Sequence, residues 1–176
     1  MSHAQNVVSA YLRAKDHNRP HLMRQAFASD ARLEMVVNAG TISFPPLAQG
    51  IDAITDVLVR QFSRTFENVY TLCIGTPPTE GASQYSCKWL VGMSEKDSRA
   101  VRIGCGRYDW VFASEAPRLA TQLTITIEQM HSLAPEHLLP VMAWISALPA
   151  PWCAPPVLTA GAPTIAELRT VIDYFG

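Results

Sequence analysis

The sequence predicts an α+β fold in which short helices lead into a long antiparallel meander and end in a proline-rich helical tail. Three observations carry that expectation. Apolar residues recur every three or four positions over Ala4 to Ala14, over His21 to Ala28, and again from Ile51 to Phe62. From Phe66 to Met130 they recur every second position, in four runs divided by short turn-rich segments. Beyond His131 the only charged side chains are Glu136, Glu167, Arg169 and Asp173, and more than half of the 13 prolines lie there.

The elements follow in order. Ala4 to Ala14 places Val7, Val8, Tyr11 and Leu12 on one stripe, an amphipathic helix that Asp16-His-Asn-Arg-Pro20 breaks. Proline suits the first turn of a second helix, expected over His21 to Ala28 with Leu22, Met23, Ala26 and Phe27 buried. Arg32 to Val37 and Thr41 to Phe44, joined by Asn38-Ala-Gly40, read as a short hairpin that Pro45-Pro46 stops. Gly50-Ile-Asp52 then opens a helix with Ile51, Ile54, Leu58 and Phe62 on one face.

The four strand-like runs are Phe66 to Ile74, Ser83 to Ser94, Arg99 to Phe112 and Arg118 to Met130. Short separators between long strands imply antiparallel neighbours. The tail reads as an apolar helix over Pro135 to Leu148, an irregular arm over Pro149 to Pro163, and a terminal helix over Thr164 to Tyr174. Thr164 with Glu167 three residues on has the capping-box pattern. The expected organisation is a domain over residues 1–131 and a helical extension over 132–176, packed on that domain or on a partner subunit.

Composition narrows the function classes. The 176 residues carry a net charge of −1 and are 16% charged, against about 25% in an ordinary domain. No basic field is present to attract nucleic acid or an anionic membrane surface. The uncharged runs of the tail are cut by prolines, so no membrane span is expected. A polar N-terminus without a basic flank and apolar run points to a cytoplasmic protein. Cys73, Cys87, Cys105 and Cys153 have no C-x-x-C spacing and read as free, buried thiols. No metal site is expected: Pro20 separates His17 from His21, and Pro135 separates His131 from His137. No cofactor motif appears either.

The order helix, helix, hairpin, helix, meander resembles the NTF2-like cone, and in particular its SnoaL-like and ketosteroid-isomerase-like members. The residues that carry the resemblance are Val7-Val-Ser-Ala-Tyr11-Leu, Ala26-Phe-Ala-Ser-Asp30-Ala-Arg-Leu-Glu34, Gly50-Ile-Asp-Ala-Ile54 and Gly106-Arg-Tyr-Asp-Trp-Val-Phe112. It covers roughly residues 4 to 131. The resemblance implies a curved antiparallel sheet wrapped around the N-terminal helices, a deep apolar cavity, and a homodimer through the outer sheet face.

It also implies candidate roles. Ketosteroid isomerase uses an aspartate base, with a tyrosine and a protonated aspartate holding the enolate oxygen. Here Tyr11 matches the oxyanion tyrosine, Tyr108 stands where the second acid is expected, and Met35 stands where the base is expected. Methionine cannot accept a proton, so steroid isomerisation by that route is not expected. Tyr11 and Tyr108 are the candidate catalytic residues.

Alternation sends Tyr85, Trp89 and their strand-mates Cys87, Val91 and Met93 inward, and the resemblance sends Tyr108, Trp110 and Phe112 inward. On the last strand the resemblance points Gln122 and Thr124 into the cavity, whereas burial alone would point Leu123, Ile125 and Ile127 there. The expected pocket is therefore Met35, Tyr85, Trp89, Trp110, Phe112, Gln122 and Thr124. It would suit a small apolar or aromatic molecule, acted on by a cofactor-free isomerase, cyclase or dehydratase. The other reading is a non-catalytic binding or assembly module of the same fold.

Overall fold

Ser2 starts the first element by a reciprocal cap. Its hydroxyl accepts from the Gln5 amide, and the Gln5 side chain accepts from the Ser2 amide, each at 3.2 Å. From there the computed structural model, which describes residues 1–176, runs as helix α1 (His3–Asp16) with Val7, Val8, Tyr11, Leu12 and Lys15 on its buried side. Asn18, with φ 50°, ends it.

Pro20–Gln25 form a 3-10 turn, and the chain is extended from Phe27, so the expected helix over His21 to Ala28 is shorter and partly strand. The reason is tertiary. Phe27 pairs with Ala120 and packs against the rings of Tyr11 and Trp110, at centroid distances of 6.1 and 5.8 Å.

Seven strands form one curved, unclosed sheet: β1 (Phe27–Val37), β2 (Leu47–Gln49), β3 (Phe66–Ile74), β4 (Gln84–Glu95), β5 (Val101–Phe112), β6 (Ala120–Leu133) and β7 (Trp152–Cys153), in the order β2-β1-β6-β5-β4-β3-β7. The meander β3 to β6 is antiparallel, as expected. Two pairs are parallel, β1 with β6 and β3 with β7, so the sheet as a whole is mixed.

The expected hairpin partner of β1 is displaced. Thr41 to Phe44 form no strand, and β1 pairs instead with Leu47–Gln49 beyond the two prolines. Pro45 and Pro46 offer no amide donors, but the Pro46 carbonyl accepts from Met35 at 2.9 Å. The segment from Asn38 to Pro46 thereby becomes a strap with Ile42 and Phe44 packed on the core.

The third helical stretch is α2 (Ile51–Thr55), a π-helical turn (Asp56–Gln61) and α3 (Phe62–Thr65) in succession. A register shift in β5–β6 falls at Cys105/Gly106. Only glycine fits there, because a Cβ on Gly106 would meet the Thr126 carbonyl oxygen at 1.8 Å.

The sheet separates two cores. The inner one joins α1 and the α2–α3 stretch to the inward residues of β1 and β3 to β6. The outer one joins Leu72, Leu90, Val101, Ile103 and Cys105 of the sheet to the chain beyond β6. That chain forms α4 (Leu138–Ser146), β7, α5 (Pro155–Ala160) and α6 (Ala166–Asp173). The arm expected to be irregular therefore contains β7 and α5. The Trp144 indole donates to the Leu158 carbonyl at 3.1 Å, tying α4 to α5. The Thr164–Glu167 capping box does not form: Ile165 is the N-cap of α6, without a side-chain cap.

Candidate ligand-binding site

An apolar cavity of about 50 Å³ lies between α1, the α2–α3 stretch and the inner sheet face. Its size comes from the residues that alternation sends inward. Trp89, Val91 and Met93 of β4 face Tyr108 of β5, and Ile125, Ile127 and Met130 of β6 continue the wall. Thirteen of its fifteen lining residues are hydrophobic, and no carboxylate is among them. Three are methionines, Met35, Met93 and Met130, whose unbranched side chains yield easily to a guest.

Its polar corner is built where α1 meets β3. Lys15 Nζ donates to Asp16 Oδ1 at 2.6 Å and to Thr71 Oγ1 at 2.7 Å. Thr71 in turn donates its hydroxyl to Asp16 Oδ1 at 2.9 Å and its amide to Asp16 Oδ2 at 2.7 Å. The Lys15 and Asp16 side chains are 7% and 9% exposed. Lys15 also lies over the Phe62 ring, 4.9 Å from its centroid. Lys15 and Thr71 line the cavity while Asp16 stands behind them, so the cavity's one charged lining group is an ammonium held from the rear.

Two phenols stand beside it. Tyr11 and Tyr108 meet edge to face at 5.8 Å between centroids. Burial pushes the Tyr11 hydroxyl well above the ordinary phenol range, with the Tyr108 hydroxyl pulling partly back. Burial likewise raises Tyr108, and its contact with Tyr11 adds to the rise. Both are therefore neutral donors near neutral pH, not bases. The buried indole N–H of Trp89 has no hydrogen-bond partner. The corner is thus rich in donors and poor in acceptors, suited to a ligand with an acceptor oxygen.

Of the residues expected in the pocket, Tyr11, Met35, Trp89 and Tyr108 line it together. Trp110 and Phe112 point inward but do not line it. They stack at 6.2 Å and, with Phe27, fill the core beside it. Tyr85 is drawn to the sheet edge, where its hydroxyl donates to the Thr76 carbonyl at 2.9 Å and accepts from Trp152 at 3.0 Å. Gln122 and Thr124 lie on the opposite face: Leu123, Ile125 and Ile127 are at most 4% exposed and take the inward positions, as burial alone would have it. Lys15 and Thr71 were not expected, although Lys15 follows Tyr11 by one helical turn on the same stripe.

No family model and no curated protein sequence matches the chain. Solved structures do. LinA superposes with a TM-score of 0.60 at 11% identity, covering 74% of this chain and 86% of that one. An NTF2-like superfamily protein of Salmonella enterica serovar Typhimurium scores 0.55 at 15% identity, covering 73% and 87%. A ketosteroid isomerase-like protein of Erwinia carotovora atroseptica scores 0.53 at 11% identity, covering 72% and 94%.

The chain has the NTF2-like fold. Within this NTF2-like cone, the position expected for a base is Met35, in the cavity wall. Glu34 points away and pairs with Arg32 at 2.8 Å. Arg107 and Asp109 are on the outer face, bonded at 2.8 Å along one strand; the cross-strand partner of Asp109 is Ser86, at 2.6 Å. No group of three or more His, Cys, Asp or Glu side chains stands close enough together to hold a metal. The four cysteines are free and buried.

Proposed function

We propose that the protein binds a small, largely apolar or aromatic molecule bearing an acceptor oxygen, and that it acts on that molecule as a cofactor-free isomerase, cyclase or dehydratase. One observation carries this reading: an apolar cavity lined by Lys15, Thr71, Tyr11, Tyr108 and Trp89, all of which carry hydrogen-bond donors, with no carboxylate in its wall and with the buried Trp89 N–H unpartnered. Donors aimed at one oxygen stabilise the negative charge that grows there when a neighbouring C–H or C–O bond is broken. One solved structure of this fold is a hexachlorocyclohexane dehydrochlorinase, named for a small apolar ring.

The second reading, a binding module without catalysis, is favoured by the methionine at the base position and by Asp16 being filled by Lys15 and Thr71. Propiophenone and propylbenzene, titrated against the protein by following tryptophan fluorescence, test the first part. The ketone is expected to bind about tenfold more tightly, the equivalent of one charge-assisted hydrogen bond, and Tyr11→Phe to narrow the gap. Failure of both compounds to bind sinks the proposal. Exchange of the ketone's α-hydrogens in heavy water, followed by NMR, separates the readings: faster exchange with protein than without supports the enzyme, and binding without exchange supports the module.

A further inference from the structure

The strap over the cavity has a second side. Ile42 and Phe44 of the strap, with Phe62 of α3, line both the cavity and an outer pocket of about 350 Å³. These three apolar side chains divide the two spaces. One helical stretch serves both: Leu58 and Phe62 face the cavity, while Val57, Gln61 and Thr65 line the outer pocket. The π-helical turn that contains Leu58 and Gln61 lies at this junction.

Arg102, on the inner face of β5, is the cation of the outer pocket, and its side chain is 8% exposed. Its three guanidinium nitrogens are unequally used. Nη1 donates to Glu95 Oε1 at 2.6 Å. Nη2 donates to the main-chain oxygen of Thr41 in the strap. The buried Nε has no partner. Nε and Nη2 form one edge of the guanidinium, the edge that accepts a carboxylate through two parallel bonds. Here that edge meets a single carbonyl oxygen, and one buried donor is left unsatisfied.

We propose that the cavity and the outer pocket are two halves of one site, and that its ligand is a small aromatic or alicyclic carboxylic acid. The ring lies under Ile42 and Phe44, and the carboxylate takes the Nε and Nη2 edge of Arg102 in place of the Thr41 oxygen. Glu95 continues to orient the guanidinium through Nη1 and is not displaced. Lys15, the other buried cation, is already neutralised by Asp16 and sits in the inner half, where it meets the ring's own acceptor oxygen. The carboxylate replaces only the Thr41 carbonyl at Arg102, while the Thr41 hydroxyl keeps the strap bonded to the Met130 carbonyl and the methionines of the cavity wall give room to the ring. The inference rests on the inner cavity being a small-molecule site.

The test uses 3-phenylpropanoate and its neutral amide, 3-phenylpropanamide, titrated calorimetrically against the full chain, with a parallel NMR titration of arginine labelled with nitrogen-15. The acid is expected to bind about tenfold or more tightly than the amide, and to move the Nε–H resonance of Arg102. Arg102→Lys, which keeps the charge and loses the two-donor edge, is expected to bring the acid down to the affinity of the amide. The comparison in the unaltered chain does not depend on that variant folding. Equal affinity for acid and amide overturns the carboxylate inference and leaves the cavity reading standing. So does acid binding that leaves the Arg102 resonance unmoved, which would place the carboxylate at Lys15. Binding of neither compound overturns both.

Discussion

Asp16 holds two neighbours at once, the ammonium of Lys15 and the hydroxyl and amide of Thr71, and it does so at 9% exposure. Removing one partner of a buried pair strands the other, so Asp16→Ala is expected to cost about 3–5 kcal/mol in a urea unfolding measurement. The double change Lys15→Met with Asp16→Ala is expected to recover part of that loss, because no buried charge remains. Tyr11 and Tyr108 set the alkaline limit. Both titrate higher folded than unfolded, so the stability tied to their neutral forms is intact below about pH 10 and is lost as pH rises from there toward the folded values. Each contributes a fall of about 1.4 kcal/mol per pH unit in that window. Tyr11→Phe is therefore expected to flatten the decline of melting temperature above pH 10; an unchanged slope would show that this phenol titrates normally. Trp89 was legible as a cavity residue from the strand period, and Tyr11, Tyr108 and Met35 from the resemblance to the NTF2-like cone. Lys15 was hidden because a lysine on an apolar stripe ordinarily extends to water, and its neutralisation needs both Asp16 at the end of α1 and a Thr71 acceptor on a strand 56 residues away.

At the scale of elements, strand period decided correctly and turn chemistry less so. Residues from Phe66 to Met130 form the four antiparallel strands expected of them, because two-residue alternation with short loops admits few other arrangements. The strap defeated its reading as a hairpin strand. Local sequence makes Thr41 to Phe44 a plausible partner for β1, but Leu47 to Gln49 wins the pairing, and Ile42 and Phe44 are buried against the inner core instead. The last strand shows the same competition from the other side, with aliphatic burial outweighing family likeness at Gln122 and Thr124. Gly106 is the point where β5, β6 and Trp89 press closest. A Cβ there would lie 1.8 Å from the Thr126 oxygen and 2.8 Å from the Trp89 ring. Gly106→Ala is expected to destabilise the fold by several kcal/mol, on the order of an overpacked core, and to alter Trp89 fluorescence in whatever folded fraction remains. A variant with wild-type stability and spectrum would show that the two strands can part at no cost.

The whole molecule differs from a bare cone by what covers its outer face. Val141, Ile145, Leu158, Leu168 and Val171 close over the sheet beside β3 to β5, and Lys88 donates to the Tyr174 carbonyl at 2.7 Å. There the thiol of Cys105 is pushed up to about 12, chiefly by burial. Ending the chain after Leu133 is expected to uncover this apolar face and lower solubility, read by light scattering and dye binding. A truncated chain as soluble and as stable as the full one would show the extension to be dispensable. A homodimer through the sheet, as the resemblance implies, would meet the polar remainder of that face around Arg107, Asp109 and Thr124; sedimentation at micromolar concentration measures whether it forms. No helix is long and apolar enough to cross a membrane.

By itself, the sequence determined the α+β class, the first helix, the four-stranded antiparallel meander and the inward set on β4. Those follow from periods of 3.6 and 2, which are properties of short stretches of chain. Only the tertiary structure decided that Lys15 turns into the cavity, that the strap closes it under the hold of Arg102, and that the tail lies on the outer face. Each depends on partners far apart in the chain, and the cost of burying a charge or an apolar face is met only when those partners come together.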